Sequence, residues 1–246
     1  MRSLSAPAMT LALAFALSTA ACTAQDNITF AIIKNQVPEE GCIIPTSDDG
    51  LYISTGRLDV SELPGGIANP GYVFTPLVRN GASSVAGNPN ENVIFLGGAD
   101  VELLAGTTQA SLQLLEQLAS AGMDKRTQLV SGSVSPGGTA AMGFFAIDAD
   151  QTAAIAGFLA PGEQVQVVAR ISIFGRIDGS EIVSSNFDYP ITVCNGCLLQ
   201  DLGSCATFPP TQPIGEGGAC SPLQDSVLSC CTSSTGGGVI CPAVHE

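Results

Sequence analysis

The stretch Gln164-Val-Gln-Val-Val-Ala-Arg-Ile-Ser-Ile173, followed by Gly175 to Gly179 and then by Glu181 to Val193, decides the fold class. Two runs rich in β-branched residues on either side of a glycine-bounded turn read as a hairpin of strands. Toward the N-terminus, further strands are expected at Ala140 to Ile147 and Leu129 to Val134, and in two short runs, Val93 to Leu96 and Asp100 to Leu104, joined across Gly97-Gly98. Residues 28–33 (ITFAII), Leu51 to Val60 and Tyr72 to Arg79 complete the set, with turns at Pro45 to Gly50 and Gly87 to Asn92. Pro76 lies inside the Tyr72 run; because proline donates no ladder hydrogen bond, that strand should lie at an edge or carry a bulge.

Two segments read as helices. Ser111 to Ala121 spaces Leu112, Leu115, Leu118 and Ala119 by three and four, although Leu112 and Leu114 also alternate as a strand would. Asp150 to Leu159 is capped by Asp148 or Asp150 and turns Ile155, Phe158 and Leu159 to one side. Many short strands with one or two short helices predict an all-β protein, an elaborated immunoglobulin-like β-sandwich over residues 28–193, built as one domain or two. From Cys194 the strand pattern stops. Residues 194–246, with Pro209-Pro210, Pro213 and Gly236-Gly237-Gly238, read as an irregular tail held by disulfides.

Composition excludes several functions. Eight Lys and Arg stand against 22 Asp and Glu, a formal charge of −14, and the basic residues are scattered, so no nucleic-acid partner is expected. The one histidine, His245, is next to last, which removes Ser-His-Asp triads and histidine metal centres. With no Trp and three Tyr (Tyr52, Tyr72, Tyr189), aromatic platforms for a sugar cleft are lacking, and the ten Phe, among them Phe144, Phe145, Phe174 and Phe187, are expected in the core. Carboxylate pairs brought together from distant loops leave no trace at this level.

There are nine cysteines: Cys22, Cys42, Cys194, Cys197, Cys205, Cys220, Cys230, Cys231 and Cys241. Seven fall between Cys194 and Cys241, a density typical of segments too small to build a core. Cys194-Asn-Gly-Cys197 is a CxxC, but it follows a strand and opens no helix, and a second pair at zinc-ribbon spacing is lacking. Structural disulfides are the expected use, with redox exchange or zinc as alternatives. Adjacent Cys230 and Cys231 should reach different partners. Cys220 with one of them and Cys241 with the other is the natural pairing, and Cys42 should reach Cys194 or Cys197 across the sandwich.

Residues 1–21 have the layout of an export signal: Arg2, an apolar run from Ala8 to Leu17, then Ser18-Thr19-Ala20-Ala21 before Cys22. The run is too short to span a bilayer. Small residues before a cysteine resemble the lipobox of bacterial lipoproteins, although that family prefers Leu where Thr19 stands; cleavage at a nearby small-x-small site, giving a secreted protein, is the alternative. The resemblance implies cleavage before Cys22, a diacylglyceryl thiol and an acylated (palmitate-type) amine, with residues 22–27 as a tether. It also implies a cell-envelope location, on the outer membrane if the cell is Gram-negative. Two or more acyl chains suffice for stable attachment. Losing Arg2 with the signal moves the charge from −14 to −15. Parity supports the assignment, since eight cysteines then remain for four bridges.

Smaller motifs have plain readings. Asp148-Ala149-Asp150 opens like a calcium loop but lacks its glycine and its final glutamate, so it reads as a helix cap. Asp48-Asp49-Gly50 reads as a turn, and the sequon Asn27-Ile28-Thr29 carries no meaning behind a bacterial-type signal. Gly56-Arg57-Leu58-Asp59 recurs loosely as Gly175-Arg176-Ile177-Asp178, with both Arg-Asp pairs expected to be solvated. The chain therefore resembles a cysteine-rich bacterial cell-envelope lipoprotein of unassigned activity. The expectation is a non-enzymatic structural or binding module, held to the membrane by lipid and contacting an envelope protein or glycan, without cofactor, metal or catalytic residues. The alternative is an envelope enzyme, either an Asp/Glu-dependent hydrolase or a thiol-disulfide exchanger using Cys194 and Cys197.

Overall fold

Residues 164–177 alternate between buried and outward positions along their whole length. They form β9 (Gln164–Ile177), the centre of the largest sheet. Side by side lie β2 (Gly56–Asp59), β11 (Phe187–Cys194), β9, β5 (Ile94–Ala105) and β6 (Lys125–Val134), with β10 (Ser180–Val183) hairpinned onto the end of β9. Pairing is antiparallel except between β2 and β11. A three-stranded sheet holds β1 (Phe30–Asn35), β4 (Pro76–Asn80) and β7 (Thr139–Ala141), and β3 (Tyr72–Phe74) pairs with β8 (Phe144–Ile147) as a ribbon. The computed structural model of the chain describes residues 30–63, 69–84, 92–209 and 211–244. The export signal, Cys22, the tether, the Asn27 sequon and His245 lie outside the described residues, as does most of the Gly87 loop.

One apolar core joins these sheets. Val167, Ile171 and Ile173 from β9 and Leu58, Val101 and Ile191 from its neighbours meet Phe30, Ile32, Phe74 and Val78 from the smaller elements. Two helices close one side. In α1 (Gln109–Ser120) the Thr108 hydroxyl accepts from the Ser111 amide at 3.2 Å and Leu114 and Leu118 are buried, while Leu112 faces out. In α2 (Ala149–Phe158) the Asp148 carboxylate accepts from the Gln151 amide and the Gln151 side chain accepts from the Asp148 amide, each at 2.9 Å. That reciprocal cap is what the Asp148 motif does. No helix among the described residues is long and apolar enough to cross a membrane.

The chain is thus mostly β with two helices and a disulfide-rich tail, and its sheets do not by themselves establish the immunoglobulin-like sandwich. Several local expectations change. The Tyr72 run divides at Thr75 into β3 and β4, which pair with different partners. Pro76 is not at an edge: it heads β4, the middle strand of its sheet, a position where a missing N–H is tolerated. The two runs around Gly97-Gly98 form one strand with an irregularity in register there. Phe174 explains the glycines, because a β-carbon on Gly98 would run into its ring. Phe174 therefore lies on the outer face rather than in the core, and Phe95 is 61% exposed.

The tail is not devoid of strands. Its three-stranded sheet contains β12 (Leu199–Ser204), β13 (Leu228–Thr232) and β14 (Val239–Ile240), flanked by two small buried clusters, one around Cys205, Phe208 and Cys231, the other around Leu223, Leu228 and Cys230. All eight described cysteines are bridged: Cys42–Cys220, Cys194–Cys197, Cys205–Cys231 and Cys230–Cys241. Cys230 and Cys231 do take different partners, and Cys241 takes Cys230. Three bridges differ from expectation: with Cys241 on Cys230, Cys231 bonds Cys205 rather than Cys220. Cys42 reaches Cys220 rather than Cys194 or Cys197, because Leu223 to Asp225 run back along β2 and carry Cys220 across the molecule. Cys194 and Cys197 bond each other at the end of β11.

The β3–β8 ribbon has both edges closed by glutamines. Val73 and Phe145 are paired across it. On one side the Gln224 amide donates to the Val73 carbonyl and accepts from its N–H, both at 2.8 Å. On the other, the Gln128 amide makes the same two contacts with Phe145. Each side chain stands in for one peptide of a missing strand.

Candidate functional site

Three polar or exposed regions are candidates for a site. The first is the outer face of the large sheet. Outward positions near the start of β5 are apolar: Phe95 (61% exposed) and Phe174, with Val183 (58% exposed) on β10 paired to Phe174. With Gly97, Arg176, Glu181 and Ile182 they line a groove of about 460 Å³. Leu129 on β6, opposite Gly98, is 85% exposed. Toward the other end the same face is charged, with Asp100, Glu102, Lys125 and Arg170 around a cleft of about 310 Å³. There Lys125 pairs with Glu102 at 2.8 Å, the Thr127 hydroxyl donates to Asp100 at 2.6 Å, and Arg170 makes two bonds to Asp188. Both cleft carboxylates therefore already have partners.

The second region is a buried polar seam between tail and body. Asn35 donates to the Tyr189 hydroxyl at 3.0 Å, the Tyr189 and Tyr72 hydroxyls lie 2.8 Å apart, and Tyr72 donates to Asp225 at 2.9 Å. The other oxygen of Asp225 accepts the Arg57 amide at 2.7 Å. Gly56 is required beneath Tyr72, since a β-carbon there would come within 2.6 Å of the ring. Burial pushes the Asp225 carboxyl up, against the bonds from Arg57, Tyr72 and Gln224 that favour its charged form. Burial likewise raises Tyr72, with the Asp225 charge adding to it, and pushes Tyr189 up to about 12.

The third region is the CxxC. Asp59 ends β2 fully buried rather than solvated, and it clamps the loop. One oxygen accepts the amides of Ser61 (2.9 Å) and Gly196 (2.7 Å), the other those of Leu198 (2.7 Å) and Leu199 (3.3 Å). From the opposite side Asn195 donates its side-chain amide to the Leu159 carbonyl beyond α2 at 2.9 Å, and its backbone pairs with Gly162 and Glu163. Cys194 is 1% exposed whereas Cys197 is exposed. A carboxylate oxygen of Asp59 and both sulfurs lie within 4.8 Å of one another, the one group of three potential metal ligands among the described residues. With the sulfurs bonded to each other and the carboxylate accepting four amides, the set offers no free thiolate to a metal.

Asp48-Asp49-Gly50 is a turn, tied down by Lys34 to the Gly50 carbonyl at 3.0 Å and by Arg79 to Asp48 at 3.3 Å. Asp178, the counterpart of Asp59 in the loose repeat, sits at positive φ in the turn between β9 and β10. The two therefore share a sequence pattern and no role. Sequence reasoning read Asp59 as solvated and passed over Asp225; the roles of both become visible only when β2 is seen against the tail. No protein-family model, no curated protein and no solved structure matches this chain.

Proposed function

We propose that the chain is an exported, lipid-anchored cell-envelope protein that binds another envelope protein through the outer face of its large sheet. The observation that carries the binding reading is the apolar groove around Phe95, Phe174 and Val183, two of them more than half exposed, with the charged cleft beside it on the same face. Exposed contiguous apolar surface rimmed by charge is what a protein-protein contact uses. Four disulfides suit an oxidising compartment, and because the eight other cysteines are bridged among themselves, Cys22 is left for the lipid.

A photo-crosslinking residue placed at Phe95 in the native envelope, with a second chain carrying it at Tyr52 on another surface, tests the binding face. A discrete crosslinked protein at Phe95 but not at Tyr52 supports it; equal or absent labelling at both overturns it. Intact mass of membrane-extracted protein tests the anchor separately, with acyl mass on Cys22 expected and an unmodified secreted chain as the overturning result.

A further inference from the structure

We infer that the Cys194–Cys197 bridge is a redox-active site that exchanges with external thiols, with Cys197 as the sulfur attacked and Cys194 as the one released. This stands independently of the binding reading. Four observations lead to it. The bridge joins residues three apart, so it closes almost no chain and constrains the unfolded state far less than Cys42–Cys220, whose partners are 178 apart. The loop is already held without it, by the four amides on Asp59 and by Asn195 against Leu159, Gly162 and Glu163. An opened bridge thus keeps its two thiols in place for reclosure.

Access to the two sulfurs is also unequal. Cys197 is exposed and Cys194 is buried, so an incoming thiolate meets Cys197. Finally, the surroundings of Cys194 favour the opened loop once its sulfur has been released and protonated: the Leu58 carbonyl lies 3.5 Å from that sulfur, placed to accept an S–H, and the Asp59 carboxylate beside it favours the neutral thiol over the thiolate. The reaction balances without a cofactor. A partner thiolate attacks Cys197 Sγ, the Cys194–Cys197 bond breaks, and the electron pair stays on Cys194 Sγ, which takes a proton from water. A second thiolate then displaces Cys197 Sγ and leaves the partner as a disulfide and the loop as a dithiol. Any accessible disulfide reverses both steps, the Cys197 thiolate attacking first. Asp59 is a positioning residue here: it holds the loop and sets the protonation of Cys194.

The mature chain is treated with reduced glutathione, and separately with dithiothreitol, alkylated at intervals and mapped by peptide mass, with circular dichroism read in parallel. Cys194–Cys197 should open first while the folded spectrum and the other three bridges persist, and Cys197 should then alkylate about tenfold faster than Cys194. With oxidised glutathione, Cys194→Ser should accumulate a mixed disulfide on Cys197, and Cys197→Ser none on Cys194. In Asp59→Asn the alkylation of Cys194 should begin at lower pH while the Asn195 amide, bonded to the Glu163 carbonyl, keeps its protection to hydrogen exchange, which separates loss of the charge from loosening of the loop. Another bridge opening first, loss of the folded spectrum in step with this one, or a mixed disulfide on Cys194 overturns the inference. The wild-type opening order decides it even if a variant fails to fold.

Discussion

β9 sets Val165, Val167, Ala169, Ile171 and Ile173 in one row, in the same buried cluster as residues of β1, β3 and β4, and no cysteine belongs to that cluster. Across the tail, the two clusters hold four and three buried residues, and Cys205, Cys231 and Cys230 are among them. One part of the chain is held by removing apolar surface from water, the other by cross-links between segments with too little apolar surface to bury. Polar anchoring follows the same division. Asp59, Asp225 and Gln224 all work where tail meets body, with two of the three supplied by the tail.

The contrast can be broken most forcefully from the body. Phe74, fully buried among Phe144, Phe187 and Tyr189, should cost about 3–5 kcal/mol as Phe74→Ala. Urea unfolding should show the loss, with amides of β9 losing protection to hydrogen exchange. Next in size, the double change Cys42→Ser with Cys220→Ser should cost about 2–4 kcal/mol and should act on the tail. Exchange should rise across residues 199–232 while β9 keeps its protection; a uniform rise would show that the two parts do not differ as argued.

The smallest effect is a slope with pH. Burial holds the Asp225 carboxyl above its ordinary value, so its contribution to stability is present below the ordinary aspartate range, about pH 4, and is lost as the pH rises through the folded value. Asp225→Asn should flatten that part of the stability-pH curve, read by urea unfolding at a series of pH values, and should leave the acid end nearly unchanged. An identical slope in the variant would place the titrating group elsewhere.

Local patterns carried the secondary structure well where they were self-contained. The β-branched run gave β9, and the Asp148 cap gave the start of α2, because both depend on neighbours in sequence, whereas the run Glu181 to Val193 divides into β10 and β11. Pairings across long separations were beyond such patterns. Spacing favoured Cys220 with Cys230 or Cys231, yet Cys220 bonds Cys42 because a stretch of tail runs along β2. Asp59 looked like half of a solvated Arg-Asp pair, and only the amides of Gly196 and Leu198, nearly 140 positions away, explain its burial. The apolar outer face was missed for a related reason: Phe95 and Phe174 carry the same hydrophobicity as core residues, and register alone turns them outward.

The glutamines on the ribbon edges have a consequence for the molecule in company. A two-stranded ribbon presents two rows of unpaired peptide groups, and such rows recruit strands from other copies. Gln128 and Gln224 cap Val73 and Phe145 with amides that carry no charge and take up no proton. Salt and acidity that would weaken a charged gatekeeper leave them unchanged. Gln224 reaches its place only when the tail is seated, so a chain whose tail has come away exposes one of these edges to its neighbours, and correct bridging of Cys42 to Cys220 becomes a safeguard against self-association as much as a source of stability.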